Sequence, residues 1–496
     1  IGIFTRILKK DKYQVNLFDT THYVTEENSS PQNRVKFLQA RDFSEKNDLG
    51  VRIKTDLTGD YIKKVESFKP DFIIYSVVED CYRQTLVLME AIKNFDIPHI
   101  VGGVYPTAAP DICINNELIN IIGLGEGENI IVDVAEAIRL SNSFNQIPGI
   151  WYKDKGQIIK NNRGPLININ DSIPDFSLTD DARFNRPMGG KIFRTMPVET
   201  YRGCPFQCTY CNSPNQMEIY DTNIDADYFR KKRIDLVYKE LKYFKDNVGV
   251  EYNYFWADTF LAVSDKEFDE FCEMYSEIKL PFWMQTRPET LTDYKVRRLA
   301  DVGLHRFSVG IEHGDDEFRR KILKRSWKNE AIVEALKIPH RYGVQFTCNN
   351  IVGFPTETRD LAMETIKLNR QIESDSQNMN AFVPFHGTPL RKMVEEMGLV
   401  KPEEITKCLT DSPMLDMPQF SAKEITGLIK CFVLYVKFPK SRWKDIKRAE
   451  EDTPEGKKIF KELKKEFAEK YMPTTSEVNP KEVPVVADLE YGMELP

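Results

Sequence analysis

A chain of 496 residues with 41% hydrophobic and 29% charged side chains has the composition of a folded globular protein of about three domains. Its 69 basic and 76 acidic side chains give a formal net charge of -7. That leaves no overall cationic field for a phosphate backbone and argues against nucleic acid as a partner. No apolar run reaches the roughly 20 residues of a membrane-spanning helix and no export signal opens the chain, so a cytoplasmic protein without a membrane partner is expected.

The chain opens at Ile1 with IGIFTRILKKDKYQVNLFD, which reads as the end of a helix, a turn and a strand. A parallel sheet ordinarily opens with a strand, so a truncated N-terminus with one strand missing upstream is expected. Short apolar runs then alternate with amphipathic stretches: QVNLF, a helix near Asp60 to Phe68, DFIIYSVV, a helix over Leu86 to Asn94, HIVGG and INIIGLG. This rhythm predicts a doubly wound α/β domain over 1–140. Glu26 to Asp56 is a polar insertion with no assignable element. GIWYKDKGQIIKNN predicts a hairpin turning at Asp154, Lys155 and Gly156, followed by a Pro- and Asp-rich linker, and together they fill 141–195.

A second alternation starts at Val198 with VETYRG and continues through YNYFWAD, FWMQTR, RFSVGIE, QFTCNNIVGF and MNAFVPF, with five helical stretches between. Six strands and five helices predict a partial parallel barrel over 196–395, with reactive groups at the C-terminal strand ends. Residues 396–496 read as a helical, charged cap or tail. Within it, KFPKSRWKDIKR from Lys437 to Arg448 is followed at once by acidic residues and reads as a solvated helix face.

Three of the nine cysteines, Cys204, Cys208 and Cys211, stand in YRGCPFQCTYCNSP as C-x3-C-x2-C. A chance triplet of this kind is expected on the order of 0.003 times per chain. Three thiolates leave one iron of a cubane open to an added ligand, whereas structural zinc wants a fourth Cys or His close by, and none stands there. Cys81, Cys113, Cys272, Cys408 and Cys431 stand alone and read as small buried hydrophobes, and strand alternation turns Cys348 away from Asn349, Ile351 and Gly353.

GCPFQCTYC resembles the cluster loop of the radical S-adenosylmethionine (SAM) superfamily. The resemblance implies a 4Fe-4S cluster on the three cysteines, SAM chelated at the open iron, and a 5'-deoxyadenosyl radical that takes hydrogen from a small-molecule substrate. It further implies an external reductant such as flavodoxin or ferredoxin. Tyr210 would lie against the adenine, although an ordinary packed aromatic fits as well. FWADTF, FSVGIEHGDDEFRRKILKR and NIVGFPTET resemble the second, fourth and fifth strand ends of the family, and carry Asp258, Glu312 and Gly353 where cofactor contacts lie. By the same analogy Arg287 would pair with the SAM carboxylate. Helix caps and a structural ion pair are the plainer readings of Asp258, Glu312 and Arg287.

The glycine-bearing strand ends HIVGGVYPTAAPD and IIGLGEGENII, with Ser76 before them, resemble the cobalamin-binding domain fused to many such enzymes. Ser76, Gly102, Gly103, Gly125, Glu126, Gly127 and Glu128 are the implied cobalamin contacts. The D-x-H-x-x-G motif that supplies a lower cobalt ligand elsewhere is absent, Tyr105 stands where relatives often have His, and His22 reads as a surface-loop residue. The resemblance implies methyl transfer to an unactivated carbon or phosphorus. The alternatives are a radical cyclase or rearrangement enzyme like the anaerobic magnesium-protoporphyrin monomethyl ester oxidative cyclase, a methylthiotransferase, and a non-enzymatic cobalamin sensor. A methylthiotransferase would want a second cysteine triplet near the N-terminus, where only Cys81 and Cys113 occur.

Overall fold

The computed structural model describes residues 1–24, 34–39, 49–189, 191–221, 228–407 and 412–471. Two sheets organise them. The first runs β1 (Ile73–Ser76), β2 (His99–Gly102), β3 (Ile121–Gly123), β4 (Ile150–Asp154) and β5 (Gln157–Lys160), side by side in that order. β1, β2 and β3 are parallel, and helical crossovers Tyr82–Ala91, Val104–Ala108 and Pro110–Asn115 join them. β4 and β5 form the expected hairpin, turned by Lys155 and Gly156 at φ 48° and 81°, the left-handed pair that such a tight turn requires. The hairpin pairs antiparallel with β3 through Ile121 and Tyr152, so the first sheet reaches into the stretch read as linker.

QVNLF, expected as a strand, is not one, because no neighbouring strand pairs with residues 14–18. Its alternation has another cause. Val15 packs beside Leu8 and Ile131, and Phe18 lies 4.8 Å from the Tyr61 ring. The helix expected over Leu86 to Asn94 lies earlier, at Tyr82–Ala91.

The second sheet is the partial barrel. β6 (Asn185–Met188) and β7 (Lys191–Glu199) form an antiparallel pair at one edge. The two-residue strands β8 (Tyr201–Arg202) and β9 (Arg230–Lys231) pair separately, and Arg202 leads directly into the cysteine loop. β10 (Tyr252–Trp256), β11 (Phe282–Thr286), β12 (Leu304–Glu312), β13 (Gln345–Val352) and β14 (Ser376–Ala381) follow in parallel. The order is β14-β13-β12-β11-β10-β7-β6, which contains the six parallel strands expected. The first of them starts at Lys191 rather than Val198.

Alternation along these strands divides two environments. Phe255, Phe282, Met284, Phe307, Val309, Phe346 and Cys348 face the surrounding helices and are at most 1% exposed. Phe255 packs 5.3 Å from Phe271 and 5.6 Å from Tyr275 of the helix Asp265–Ile278. Burying each such side chain contributes about 1.5–3 kcal/mol. Beyond β14 the chain forms a cap, with helices Ala422–Lys437, Trp443–Ala449 and Pro454–Tyr471 sharing a core with Val352, Phe354 and Met379. The free edge of β14 is covered by Gln39, whose side chain donates to the Met379 carbonyl at 3.3 Å and accepts from its N–H at 3.4 Å. Among the described residues no helix is long and apolar enough to cross a membrane.

Candidate functional site between two sheet ends

The carboxyl ends of the two sheets face each other. After β1, the Glu79 carboxylate accepts from the His386 N–H at 2.8 Å, from the Thr406 N–H at 3.0 Å and from His386 Nδ1 at 2.6 Å, just past β14. After β2, Ala108 reaches Gly387, where an added Cβ would stand 3.0 Å from the Ala108 Cβ and 2.5 Å from Asn215 Nδ2. After β3, Glu126 pairs with Arg202 and Arg230, on either side of the cysteine loop.

That loop leaves β8 through Gly203 at φ 91°, where a Cβ would lie 2.6 Å from the Tyr228 carbonyl oxygen. Cys204 and Cys208 are buried and Cys211 is half-buried. Cys204 Sγ lies 3.6 Å from Thr259 Oγ1, Arg287 Nη1 donates to Cys208 Sγ at 3.3 Å, and the Ser213 N–H donates to Cys211 Sγ at 3.5 Å. Thr209 ties the middle of the loop down by donating to the Ile322 carbonyl at 2.6 Å. Burial, with Asp258 adding to it, pushes the Cys211 thiol up to about 12, and burial also raises Cys204. Among the described residues no three His, Cys, Asp or Glu side chains converge on one metal-ion position.

The remaining barrel residues stand around this loop. Asp258 lies two residues past the end of β10 with its side chain open to the space at the barrel mouth, where loss of surrounding water and then Glu199 push its carboxyl up to about 6. The Arg287 guanidinium lies 3.7 Å from the Phe206 ring centroid and pairs with Glu289. Glu312 sits at φ 67° on a bulge of β12 and accepts from Arg325 Nη1 at 3.0 Å. The same Arg325 donates to Tyr210 Oη at 3.0 Å and to the Gly310 carbonyl at 2.8 Å. Burial raises Glu312, with Arg325 opposing it, and drives Tyr210 well up. Gly353 donates its N–H to Glu357 at 2.6 Å, and Glu357 in turn meets His313 Nε2 at 3.1 Å. His313 Nδ1 accepts from the Asp315 N–H at 3.0 Å, which places the proton for Glu357 on Nε2.

Cys204, Cys208, Cys211, Tyr210, Asp258, Arg287 and Glu312 are therefore brought to one barrel mouth. Gly353 joins them through the buried Glu357–His313 link. Arg325, Glu289, Glu357 and His313 were not singled out from the sequence. Their signals were only the charge run FRRKILKR and the acids in TRPE and PTET, which equally suit solvated faces.

On the facing sheet, Ser76 and Gly102 end β1 and β2 half-buried, and a Cβ on Gly102 would meet nothing nearer than the Gly123 oxygen at 3.9 Å. Gly103 differs, since at φ 111° its Cβ would lie 2.5 Å from the Val77 oxygen. Gly125 is covered by Tyr220, whose hydroxyl accepts from the Glu126 N–H at 2.9 Å, and Gly127 is covered by Phe4. The Glu126 and Glu128 carboxylates meet Arg202 Nη1 at 3.1 and 2.8 Å, and Glu126 also meets Arg230 Nη1 at 3.0 Å. Burial opposes ionisation of Glu126, but Arg230 and Arg202 hold its carboxyl below the usual range. Glu126 and Glu128 are thus engaged in joining the two sheets. Cys113, Cys272, Cys348 and Cys431 are buried, Cys81 is half-buried, and Cys408 lies outside the described residues.

Residues 198–368 match the Radical SAM superfamily, and the chain carries a domain of that superfamily. An uncharacterized methyltransferase of Pyrococcus horikoshii is 24% identical over 79% of this chain and 84% of its own length. The anaerobic magnesium-protoporphyrin IX monomethyl ester cyclase of Cereibacter sphaeroides is 25% identical over 71% of this chain, which spans about three fifths (59%) of that relative. Among solved structures, the radical SAM methyltransferase TsrM from Kitasatospora setae, with cobalamin and a 4Fe-4S cluster bound, superposes with a TM-score of 0.61 at 12% identity, covering 94% of this chain and 96% of that one. The cobalamin-dependent radical SAM enzyme OxsB with aqua-cobalamin superposes with a TM-score of 0.57 at 15% identity, over 82% of this chain and 64% of that one. The fold is therefore the two-sheet α/β architecture of cobalamin-dependent radical SAM proteins, with a helical C-terminal region.

Proposed function

We propose that this chain is a cobalamin-dependent radical SAM methyltransferase acting on a small molecule. The observation that carries the reading is the pair of facing sheet ends, with the cysteine loop on one and the open Gly102 position on the other. The residues fit the groups implied. Three thiols with no fourth Cys or His close by in the sequence suit a cubane, in which each thiolate takes its own iron and one iron stays open, better than structural zinc. A Cβ on Gly102 would meet only the Gly123 oxygen at 3.9 Å, so the end of β2 is open on the side where a large flat cofactor would lie, and Ser76 stands beside it.

When bound, the cluster supplies an electron for reductive cleavage of SAM and cobalamin supplies a carrier for the methyl group. This chain's own residues do the positioning. Arg287 presents its guanidinium to Cys208 and is steadied by Glu289 and the Phe206 face, so that a carboxylate placed there meets a preset fork. Asp258, with no described cation beside it, offers an acceptor on the same rim. Arg325 fixes Tyr210 and Glu312 relative to each other.

The decisive experiment is anaerobic reconstitution followed by incubation with methyl-labelled SAM, a reductant and cell extract, with 5'-deoxyadenosine, S-adenosylhomocysteine and labelled products quantified together. Label in a product together with S-adenosylhomocysteine supports the reading. Production of 5'-deoxyadenosine with neither would replace it with the cyclase or rearrangement reading that the Cereibacter relative favours. Alanine at Cys204, Cys208 or Cys211 should each abolish the cubane, read as iron content and visible absorbance.

A further inference from the structure

The inward-facing side chains of the barrel lie in layers set by strand register. At the floor, Tyr254 and Trp283 stack at 4.0 Å. One layer up lie Trp256, Gln285, Ser308 and Thr347, and above them Gly310, Asn349 and Asn378, level with Arg287. This inner face is not packed solid. Thr347, Asn349, Ile351 and Asn380 are half-buried and Trp256 is 38% exposed, whereas the outward neighbours Phe346, Cys348 and Met379 are fully buried.

β13 uses two adjacent asparagines in different ways. Asn350 faces outward and forms a closed reciprocal amide pair with Asn369, each donating to the other at 3.1 and 2.7 Å. Asn349 faces inward, and its pair with Asn378 is open. Asn378 Nδ2 donates to Asn349 Oδ1 at 2.8 Å, yet Asn378 Oδ1 is buried with no partner among the described residues, although Asn378 is only 5% exposed. A buried acceptor left unmatched costs about 1–3 kcal/mol. Exchanging the oxygen and nitrogen of both amides leaves the result unchanged, because the pair still has one donor and one acceptor to spare. A group that supplies an acceptor and a donor side by side closes it, as Asn369 closes Asn350. Carboxamides and lactams have that edge. Among the described residues the cations bordering these two layers are Arg287, assigned above to the SAM carboxylate, and Arg325, which Glu312 holds, so neither is left for a carboxylate or phosphate of the substrate.

We propose that Asn349 and Asn378 bind the carboxamide or lactam edge of the substrate, with Trp256 as a flat wall, and that the substrate is a neutral amide-bearing molecule. This rests on the radical SAM reading above. The test uses the anaerobically reconstituted full chain and benzamide as probe, with acetophenone, which only accepts, and benzoate, which is charged and lacks a donor, as controls. Binding is followed by ligand-observed NMR. Wild type should bind benzamide at least about tenfold more tightly than either control, since one matched hydrogen bond of about 1.4 kcal/mol is a factor of ten. The double variant Asn349→Leu/Asn378→Leu removes both amides together, leaves neither unpaired, and should bind all three alike. The double variant Asn349→Val/Asn378→Val, whose β-branched side chains suit a strand, should do the same and serves if the leucine pair does not fold. Equal binding of the three probes by wild type, or an unchanged preference in the variants, overturns the proposal. So does loss of SAM binding in a folded variant, which would place the pair in the cofactor site. Failure of wild type to cleave SAM would instead sink the functional reading, while the probe series would still judge the amide pair.

Discussion

Arg325 shows how much of the barrel mouth hangs on one side chain. Its fork joins Glu312, Tyr210 and the Gly310 carbonyl in a buried cluster, and Gly310 has no Cβ because one would lie 2.0 Å from the Glu312 carboxylate. Arg325→Met should lower the unfolding free energy by about 3–5 kcal/mol, since it strands a buried carboxylate, and Arg325→Lys should recover only part of that loss because a point charge cannot serve three acceptors. Urea unfolding of the three proteins checks this. Gly102 and Gly103 make a second pair of predictions. Gly103→Ala should destabilise the fold through its clash with the Val77 oxygen. Gly102→Leu should keep the unfolding midpoint and weaken cobalamin binding, read by visible absorbance titration. At this scale the cysteine triplet was legible because its spacing is local. Arg325, 13 residues beyond Glu312 and 115 from Tyr210, was not, since only the bulge and the loop after the helix Asp316–Lys321 bring the three together.

Elements were legible where one physical cause set the pattern. The helices Asp265–Ile278 and Ala422–Lys437 each start at a reciprocal capping box, Ser264 with Glu267 and Ser421 with Glu424. The second starts the helix that lies against β14 and brings Ile425 over Gly353, so Ser421→Ala should cost about 1 kcal/mol, seen as a modest fall in thermal midpoint. The six barrel strands were found because aromatic and β-branched residues recur with period two on their helix-facing side. QVNLF misled because Val15 and Phe18 bury against neighbouring side chains without any strand to pair with, and side-chain period alone carries no information about the missing hydrogen-bond partner. The early start of β7 was hidden for a related reason, since Lys191 to Arg194 are held by the antiparallel β6, whose RPM reads as linker.

The whole molecule depends on how the two sheets are joined, which no sequence pattern announced. Glycines and acids at IIGLGEGENII suggested a cofactor loop, and in the structure Glu126 and Glu128 carry the ion pairs to Arg202. Glu126 also gives the junction a pH dependence. Its carboxyl is held below the ordinary value of 4.5, so its contribution is complete above that pH and is lost as the pH falls through the depressed folded value. Glu126→Gln should therefore be destabilised most at neutral pH, and its urea midpoint should converge on that of wild type below about pH 4.5.

The three-point closure, with Glu79 on His386, Ala108 against Gly387 and Glu126 on Arg202, also bears on time. Three fastenings between the sheet ends narrow the way out for a guest lodged there, so the rate at which they part adds to its own contacts in setting its residence. Glu79→Gln weakens one fastening without touching the space above Gly102. It should shorten the residence of bound cobalamin, measured by chase with unlabelled cofactor, by a larger factor than it changes the association rate.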